Sequence, residues 1–140
     1  MLEKVIEAFA EIAAPYKPDL VAGVDARGFL FVTPLALALG SGAMMLRKPG
    51  KLPGALDSVS YALEYGNASL TMQQDRDLAS KTVILIDDLL ATGGTLAAAE
   101  QLISRRAGKL AAVLVLIELT GLKGRQQLAA PVHSLQCYEY

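Results

Sequence analysis

The run Val83-Ile84-Leu85-Ile86-Asp87-Asp88-Leu89-Leu90-Ala91-Thr92-Gly93-Gly94-Thr95 limits what this chain can fold into more than any other stretch. Four apolar residues in a row, three of them β-branched, read as a strand buried on both faces, and strands of that kind belong to parallel sheets covered by helices. The strand is expected to stop at Asp87 and Asp88, with a helix following over Leu96 to Arg105. Between them, Ala91 to Thr95 offers successive backbone N–H groups, two hydroxyls and no side-chain bulk at Gly93 and Gly94, all at the positive end of the helix dipole. That is a phosphate cradle. Two carboxylates just before it would repel a phosphate; they suit hydrogen bonds from a sugar diol, or the water shell of Mg²⁺. Each fragment alone has a plainer reading, Asp-Asp as a solvated strand end and Gly-Gly as a tight turn. In this order they suit a sugar phosphate.

The remaining pattern builds a sheet around that strand. Leu2, Val5, Ile6, Phe9 and Ile12 fall at helical spacing and the helix ends at Pro15; Leu20 to Val24 is a short strand. Phe29 to Leu39 is apolar nearly all round and ends at Gly40, which predicts a second, well-buried helix. Ala43 to Leu46 is a strand, Arg47 to Asn67 a polar loop with a weak strand signal at Val59 to Leu63, and further strands are expected near Leu70 to Met72, Leu110 to Leu119 and Ser134 to Tyr138. Strands alternating with helices give an α/β fold, a parallel sheet flanked by helices, with ligands at the carboxyl ends of the strands.

Length and charge narrow the class. The 140 residues are read as one domain, 1–140, and 53% hydrophobic residues supply its core. Thirteen basic against fourteen acidic residues leave a net charge of −1, which excludes a nucleic-acid surface built on net charge. The single Cys137 allows no internal disulfide, and Met1 to Ala14 lacks the order of a secretory signal, so a cytoplasmic location is expected. The longest apolar run, Leu110 to Ile117, is far shorter than the roughly 18 residues of a membrane span, so no membrane partner is expected.

Three more motifs fall at strand ends. Gly23-Val24-Asp25-Ala26-Arg27-Gly28 carries one guanidinium into the mouth of the sheet, unless Arg27 is only a surface charge. Arg47-Lys48-Pro49-Gly50-Lys51 places three cations around a rigid Pro-Gly, either a solvated face or a site for a second, diphosphate anion. Ser58 to Gly66 ends in Leu63-Glu64-Tyr65-Gly66, where Glu64 is a general acid or base delivered on loop closure, or an exposed strand end. Glu118 faces either the base or a helix or subunit contact; His133 has no ligand partner at metal-binding spacing; Cys137 reads as a small hydrophobe in a strand, with a reactive thiol as the alternative, and Met44 and Met45 as core filling. No Lys follows the glycines, as nucleoside-triphosphatase loops require, and no strand precedes a G-x-G-x-x-G.

The run from Val83 to Thr95 resembles the 5-phosphoribosyl-1-pyrophosphate motif of type I phosphoribosyltransferases. GVDARGFLF, RKPGKLPG, SYALEYG, IDDLLATGGT and IELTGLKGR occur in the order and roughly the spacing of the adenine branch, from about Leu20 to the C-terminus. The resemblance implies joining of adenine to 5-phosphoribosyl-1-pyrophosphate, giving AMP and pyrophosphate, with Mg²⁺ held through substrate and water rather than by a direct protein ligand. It further implies that Asp87 and Asp88 meet the ribose hydroxyls or the metal's water shell, and that Ala91, Thr92, Gly93, Gly94 and Thr95 hold the 5′-phosphate. Asp25, Ala26, Arg27, Arg47, Lys48 and Lys51 would bind pyrophosphate, with the Asp25–Ala26 peptide cis. Glu64 would handle the adenine proton, Tyr65 help close a lid over Pro49 to Asn67, and Leu119 line the base pocket. A homodimer is implied. The family's N-terminal hood, a segment over the base that precedes the first helix, does not precede it in this sequence, so the sugar half is expected to be complete and the base half to lack one wall. Val32, where the family commonly has Gly, is read as a packing change. Two other readings stay open: a non-catalytic module binding 5-phosphoribosyl-1-pyrophosphate, and a phosphoribosyltransferase for another base.

Overall fold

The computed structural model describes residues 1–63, 66–74 and 77–139. Five parallel strands form the main sheet in the order β2-β1-β5-β6-β7, with β1 Leu20–Val24, β2 Gly42–Leu46, β5 Thr82–Leu90, β6 Lys109–Leu119 and β7 Val132–Tyr138. Parallel neighbours need crossover connections: α2 (Phe29–Leu39) joins β1 to β2, and α3 (Gly94–Arg105) joins β5 to β6. Helices α1 (Leu2–Ala13) and α2 cover one face, around Phe9, Phe31, Leu35, Val21, Ile84 and Leu114; α3 covers the other, around Leu96, Leu102, Ala22, Leu85 and Val113. Val83, Ile84, Leu85 and Ile86 alternate between these two cores and are all fully buried, which is why that run carries no polar residue.

Three expectations need correction. The stretch Arg47 to Asn67, expected as a polar loop with a weak strand signal at Val59 to Leu63, holds the whole of β3 (Leu56–Leu63) and the start of β4 (Gly66–Gln73), paired as an antiparallel hairpin that also lengthens the strand expected near Leu70. Val59, Leu70 and Met72 bury one hairpin face in the α3-side core. The hairpin root is further tied down by Arg106, whose Nε donates to Asp57 Oδ2 at 2.6 Å, and by Arg105 donating to the Ser58 carbonyl. Second, β5 does not stop at Asp87: Leu89 pairs with Ile117 and Leu90 with Glu118, so both acids stand within a strand that the long β6 keeps hydrogen-bonded. Third, α2 is not buried all round. Phe31, Val32, Leu35 and Ala36 are inside, whereas Leu30 and Leu37 are 63% and 78% exposed, because none of the described residues covers the outer side.

Among the described residues no helix is long and apolar enough to cross a membrane. Val32 is buried with Cγ2 in the space a side chain at Gly23 would need, so the bulk at position 32 is accommodated by the absence of a Cβ on β1. His133 and the Tyr16 hydroxyl share a hydrogen bond of 2.8 Å, tying the α1–β1 connection to β7. Cys137 is exposed on β7, and of the two methionines expected to fill core Met44 is buried while Met45 is about half exposed.

Candidate active site

β1 leads through α2 towards one edge of the sheet and β5 through α3 towards the other, so the strand order reverses between them. Such switch points leave a crevice at the carboxyl ends of the two strands. Here the crevice holds Asp25 to Gly28 from the β1 turn and Asp87 to Thr95 from β5 and the start of α3. A cavity of about 170 Å³ is lined by Arg27, Asp87, Asp88 and the run Leu89 to Leu96.

The cradle residues Ala91 to Gly93 form the turn, and Gly94 and Thr95 already belong to the first turn of α3, two residues earlier than the sequence suggested. Gly93 caps the helix with φ 92° and no side chain caps it. The first-turn amides of a helix have no acceptor inside the helix, so this end presents donors and a partial positive charge to an anion. Gly93 has no room for a side chain: a Cβ there would lie 2.6 Å from the Gly124 carbonyl oxygen.

The acids and cations meet at the same mouth. Arg27 Nε lies 2.8 Å from Asp88 Oδ2, and Asp87 Oδ1 accepts the Asp88 backbone N–H at 2.8 Å. Burial pushes the Asp87 carboxyl up to about 7, with the Asp88 backbone N–H and Arg27 pulling the other way. The Asp25–Ala26 peptide is cis, as the resemblance implied. Asp25 Oδ2 accepts the Lys48 backbone N–H at 3.3 Å and faces Arg47 Nε at 3.6 Å. That distance is too long for a hydrogen bond, and Arg47 Nε is buried without an acceptor among the described residues, its guanidinium lying 5.6 Å over the Phe29 ring. Lys48 and Lys51 are exposed. Arg47 also forms a backbone bridge to Thr71 of β4, N to O at 3.1 Å and O to N at 2.8 Å, so the hairpin is joined directly to the basic motif.

Thus Asp25, Ala26, Arg27, Asp87, Asp88 and Ala91 to Thr95 converge on one crevice, with Arg47 and Lys48 linked to it through Asp25, whereas Lys51 is an exposed side chain that the structure does not bring into contact with Asp25. Leu119 is half-buried at the end of β6, opposite Tyr138, and does not line the 170 Å³ cavity. Glu64 and Tyr65 lie outside the described residues. Glu118 contacts a helix, as one of its readings had it: it is 4% exposed and bound by Arg125 of the short helical turn Gly124–Gln127, whose guanidinium holds its carboxyl below the usual range. The sequence reading assigned no part to Gly124, Gln127 or Arg125. The one available signal was the IELTGLKGR segment, whose contact with the cradle depends on how the chain returns after β6.

A doubly wound sheet with an anion-receiving helix end and paired acids at its switch point defines a protein that binds phosphorylated sugars or nucleotides. The chain belongs to the phosphoribosyl transferase domain family, which matches residues 1–137. Within it, the similarity is to adenine phosphoribosyltransferases. That of Gluconobacter oxydans is 48% identical over 130 residues, 93% of this chain and 73% of the relative. The crystal structure of the Thermoanaerobacter pseudethanolicus enzyme superposes with a TM-score of 0.94 at 43% identity, over 98% of this chain and 80% of that one. The Saccharomyces cerevisiae enzyme, complexed with adenine and an imino-altritol bisphosphate, gives a TM-score of 0.92 at 40% identity, covering 96% of this chain and 78% of that one.

Proposed function

We propose that this chain, as a single phosphoribosyltransferase domain, transfers the 5-phosphoribosyl group of 5-phosphoribosyl-1-pyrophosphate to adenine, releasing AMP and pyrophosphate in purine salvage. The observation that carries the reading is the pairing, across one crevice, of an uncapped helix end at Ala91 to Thr95 with the Arg27–Asp88–Asp87 cluster. A ribose bearing anions at both ends fits such a crevice, and a relative takes adenine together with a sugar-like bisphosphate.

The amides and hydroxyls of Ala91 to Thr95 hold the 5′-phosphate. Asp87 and Asp88 accept hydrogen bonds from the ribose hydroxyls. Arg27 leaves Asp88 to take the pyrophosphate, joined by Arg47, whose buried Nε has its donor capacity unused, and by Lys48 and Lys51. Asp25 and the cis Asp25–Ala26 peptide shape the loop that faces this anion. As the C1′–oxygen bond breaks, the ribose gains oxocarbenium character; the cations retain the departing pyrophosphate, and the carboxylates lie where positive charge develops. An adenine ring nitrogen supplies the electron pair to C1′, Leu119 contributes an apolar wall, and Glu64 handles the proton at the opposite imidazole nitrogen while Tyr65 closes over the site. Water must be kept from the same cation, a task for the segment Lys48 to Ala55 and the hairpin tip.

The two adjacent carboxylates, oxygen donors of hard character, fit a hydrated Mg²⁺. Asp87 and Asp88 would hold it through its water shell, where it would supply positive charge to offset that of the leaving pyrophosphate.

The test is to mix the protein with adenine, 5-phosphoribosyl-1-pyrophosphate and Mg²⁺ and follow AMP; no AMP, together with no heat of binding for the sugar diphosphate, defeats the reading. Glu64→Gln should lower kcat by about a hundredfold, the usual scale of general acid–base catalysis, with little change in sugar-diphosphate affinity. Equal loss of both would remove the proton-handling role. We also propose a cytoplasmic homodimer. Supporting the dimer, Leu30 and Leu37 on α2 and Met45 on β2 are exposed apolar side chains. Leu37→Glu should then yield monomers in sedimentation equilibrium, whereas an unchanged mass would move the interface elsewhere.

A further inference from the structure

We propose that Arg125 is a positioning residue for the phosphate cradle: it clamps the turn Gly124–Gln127 to the sheet so that Gly124 backs the peptides of Ala91 and Gly93. The inference rests on the cradle's reading as the 5′-phosphate site. Gly124 is buried directly behind the cradle. A Cβ on it would stand 2.5 Å from the Ala91 carbonyl oxygen and 2.7 Å from Leu90 Cδ1, while a Cβ on Gly93 would meet the Gly124 carbonyl at 2.6 Å. Two backbones are therefore in contact with no side chain between them, and movement of the turn moves the wall of the cradle.

The backbone hydrogen bonds of Lys123, Gln126 and Leu128 run to Thr120, Lys123 and Arg125, all within the 120–128 segment. Thr120 Oγ1 donates to the Tyr138 carbonyl at 3.2 Å where the segment leaves β6, and among the described residues the Gly124–Gln127 turn itself is hydrogen-bonded to the sheet through the Arg125 side chain. Its Nε donates to both Glu118 oxygens at 3.0 and 2.8 Å, Nη2 to Glu118 Oε1 at 2.8 Å and to Ser134 Oγ at 3.0 Å, and Nη1 to the Val132 carbonyl at 2.8 Å. Ser134 Oγ in turn donates to Glu118 Oε1 at 2.5 Å. One planar guanidinium thus joins the turn to β6 and β7 together, which a single ammonium cannot match in geometry. Further along, Glu100 of α3 accepts the backbone N–H groups of Ala129 and Ala130, both at 3.0 Å, so that end of the connection is held independently of Arg125. Loss of the clamp should loosen the Gly124 end without freeing the whole connection.

Calorimetry on the full chain separates a local from a global effect, with ribose 5-phosphate probing the cradle and pyrophosphate with Mg²⁺ probing the cationic side. Arg125→Ala is expected to weaken ribose 5-phosphate binding about tenfold and Arg125→Lys about threefold, with pyrophosphate affinity held within about twofold in both. If Arg125→Ala does not fold, Arg125→Lys decides by the same comparison. Equal loss of both ligands marks the pair as merely structural and overturns the inference, as does no loss of either. A wild-type protein that takes up no ribose 5-phosphate overturns the reading of the cradle itself, a result distinguishable from failure of the variants alone.

Discussion

Gly93→Val is expected to raise the KM for 5-phosphoribosyl-1-pyrophosphate by roughly two to three orders of magnitude, with a much smaller change in kcat at saturation. Two costs combine. Gly93 holds φ 92°, a conformation that costs a β-branched residue on the order of 1–3 kcal/mol. The new Cβ would also meet the Gly124 carbonyl oxygen at 2.6 Å and Gln127 Cβ and Cγ at 3.1 Å, so the turn must move before the helix end can keep its shape. A cradle displaced by even a fraction of an ångström loses charge-assisted amide contacts, each contributing about 1.5–3 kcal/mol, and about 1.4 kcal/mol is a factor of ten in affinity. Gly40→Ala is the control. It has φ 68° after α2 with nothing within 4 Å, so it should cost about 1 kcal/mol of stability and leave KM unchanged. Steady-state kinetics with circular dichroism on both variants decides the matter: a native-like Gly93→Val with unaltered KM would remove the cradle from the site.

The same contrast explains which parts of this molecule were legible in the sequence. β1 and α2 have the expected bounds because local chemistry sets them: a buried run ending at a glycine-containing turn, and an apolar helix stopped at Gly40 in the left-handed conformation. The cradle was readable because its backbone demands small residues in a fixed order. The end of β5 was not, since hydrogen bonding to the eleven-residue β6 carries the strand past two acids that hydropathy would place outside it. The hairpin was hidden in a segment rich in Gly, Pro and Ser; Val59 and Tyr61 alternate with serines, but the burial of Val59 depends on α3, which follows much later in the chain. An all-round apolar helix such as α2 gives no hint of which side its own chain will cover. Arg125 and Glu118 lie in different elements, and only the register of β6 against β7 brings Val132 and Ser134 to the same guanidinium.

Asp87→Asn should stabilise the ligand-free protein at pH 8 and lower kcat/KM by about 10²–10³, a loss of the size seen when one transition-state electrostatic contact is removed. The first half follows from linkage. Burial lifts the Asp87 carboxyl from the ordinary 3.8 to about 7, so between those values the folded chain keeps a proton that the unfolded chain has released. This contribution is therefore fully present below about pH 3.8, declines as pH rises through 7, and is gone above it; there the native state carries an ionised buried carboxylate at a cost of at most a few kcal/mol. Asparagine has the same shape, and its Oδ1 can still accept the Asp88 backbone N–H that Asp87 accepts at 2.8 Å, but it has no charge to desolvate. The variant's advantage in thermal midpoint, measured with chelator present, should thus grow from pH 5 to pH 8 and be absent near pH 4. Activity moves the other way because the ionised carboxylate is the form that favours positive charge at the ribose, and wild-type affinity for the Mg²⁺–sugar diphosphate should rise between pH 6 and pH 8 while the variant's stays flat. A residue that costs stability where the enzyme works, and returns it as transition-state binding, is what this pair of measurements would reveal. Equal midpoints at pH 8 would refute the shifted titration, and an unchanged kcat/KM would refute the catalytic role.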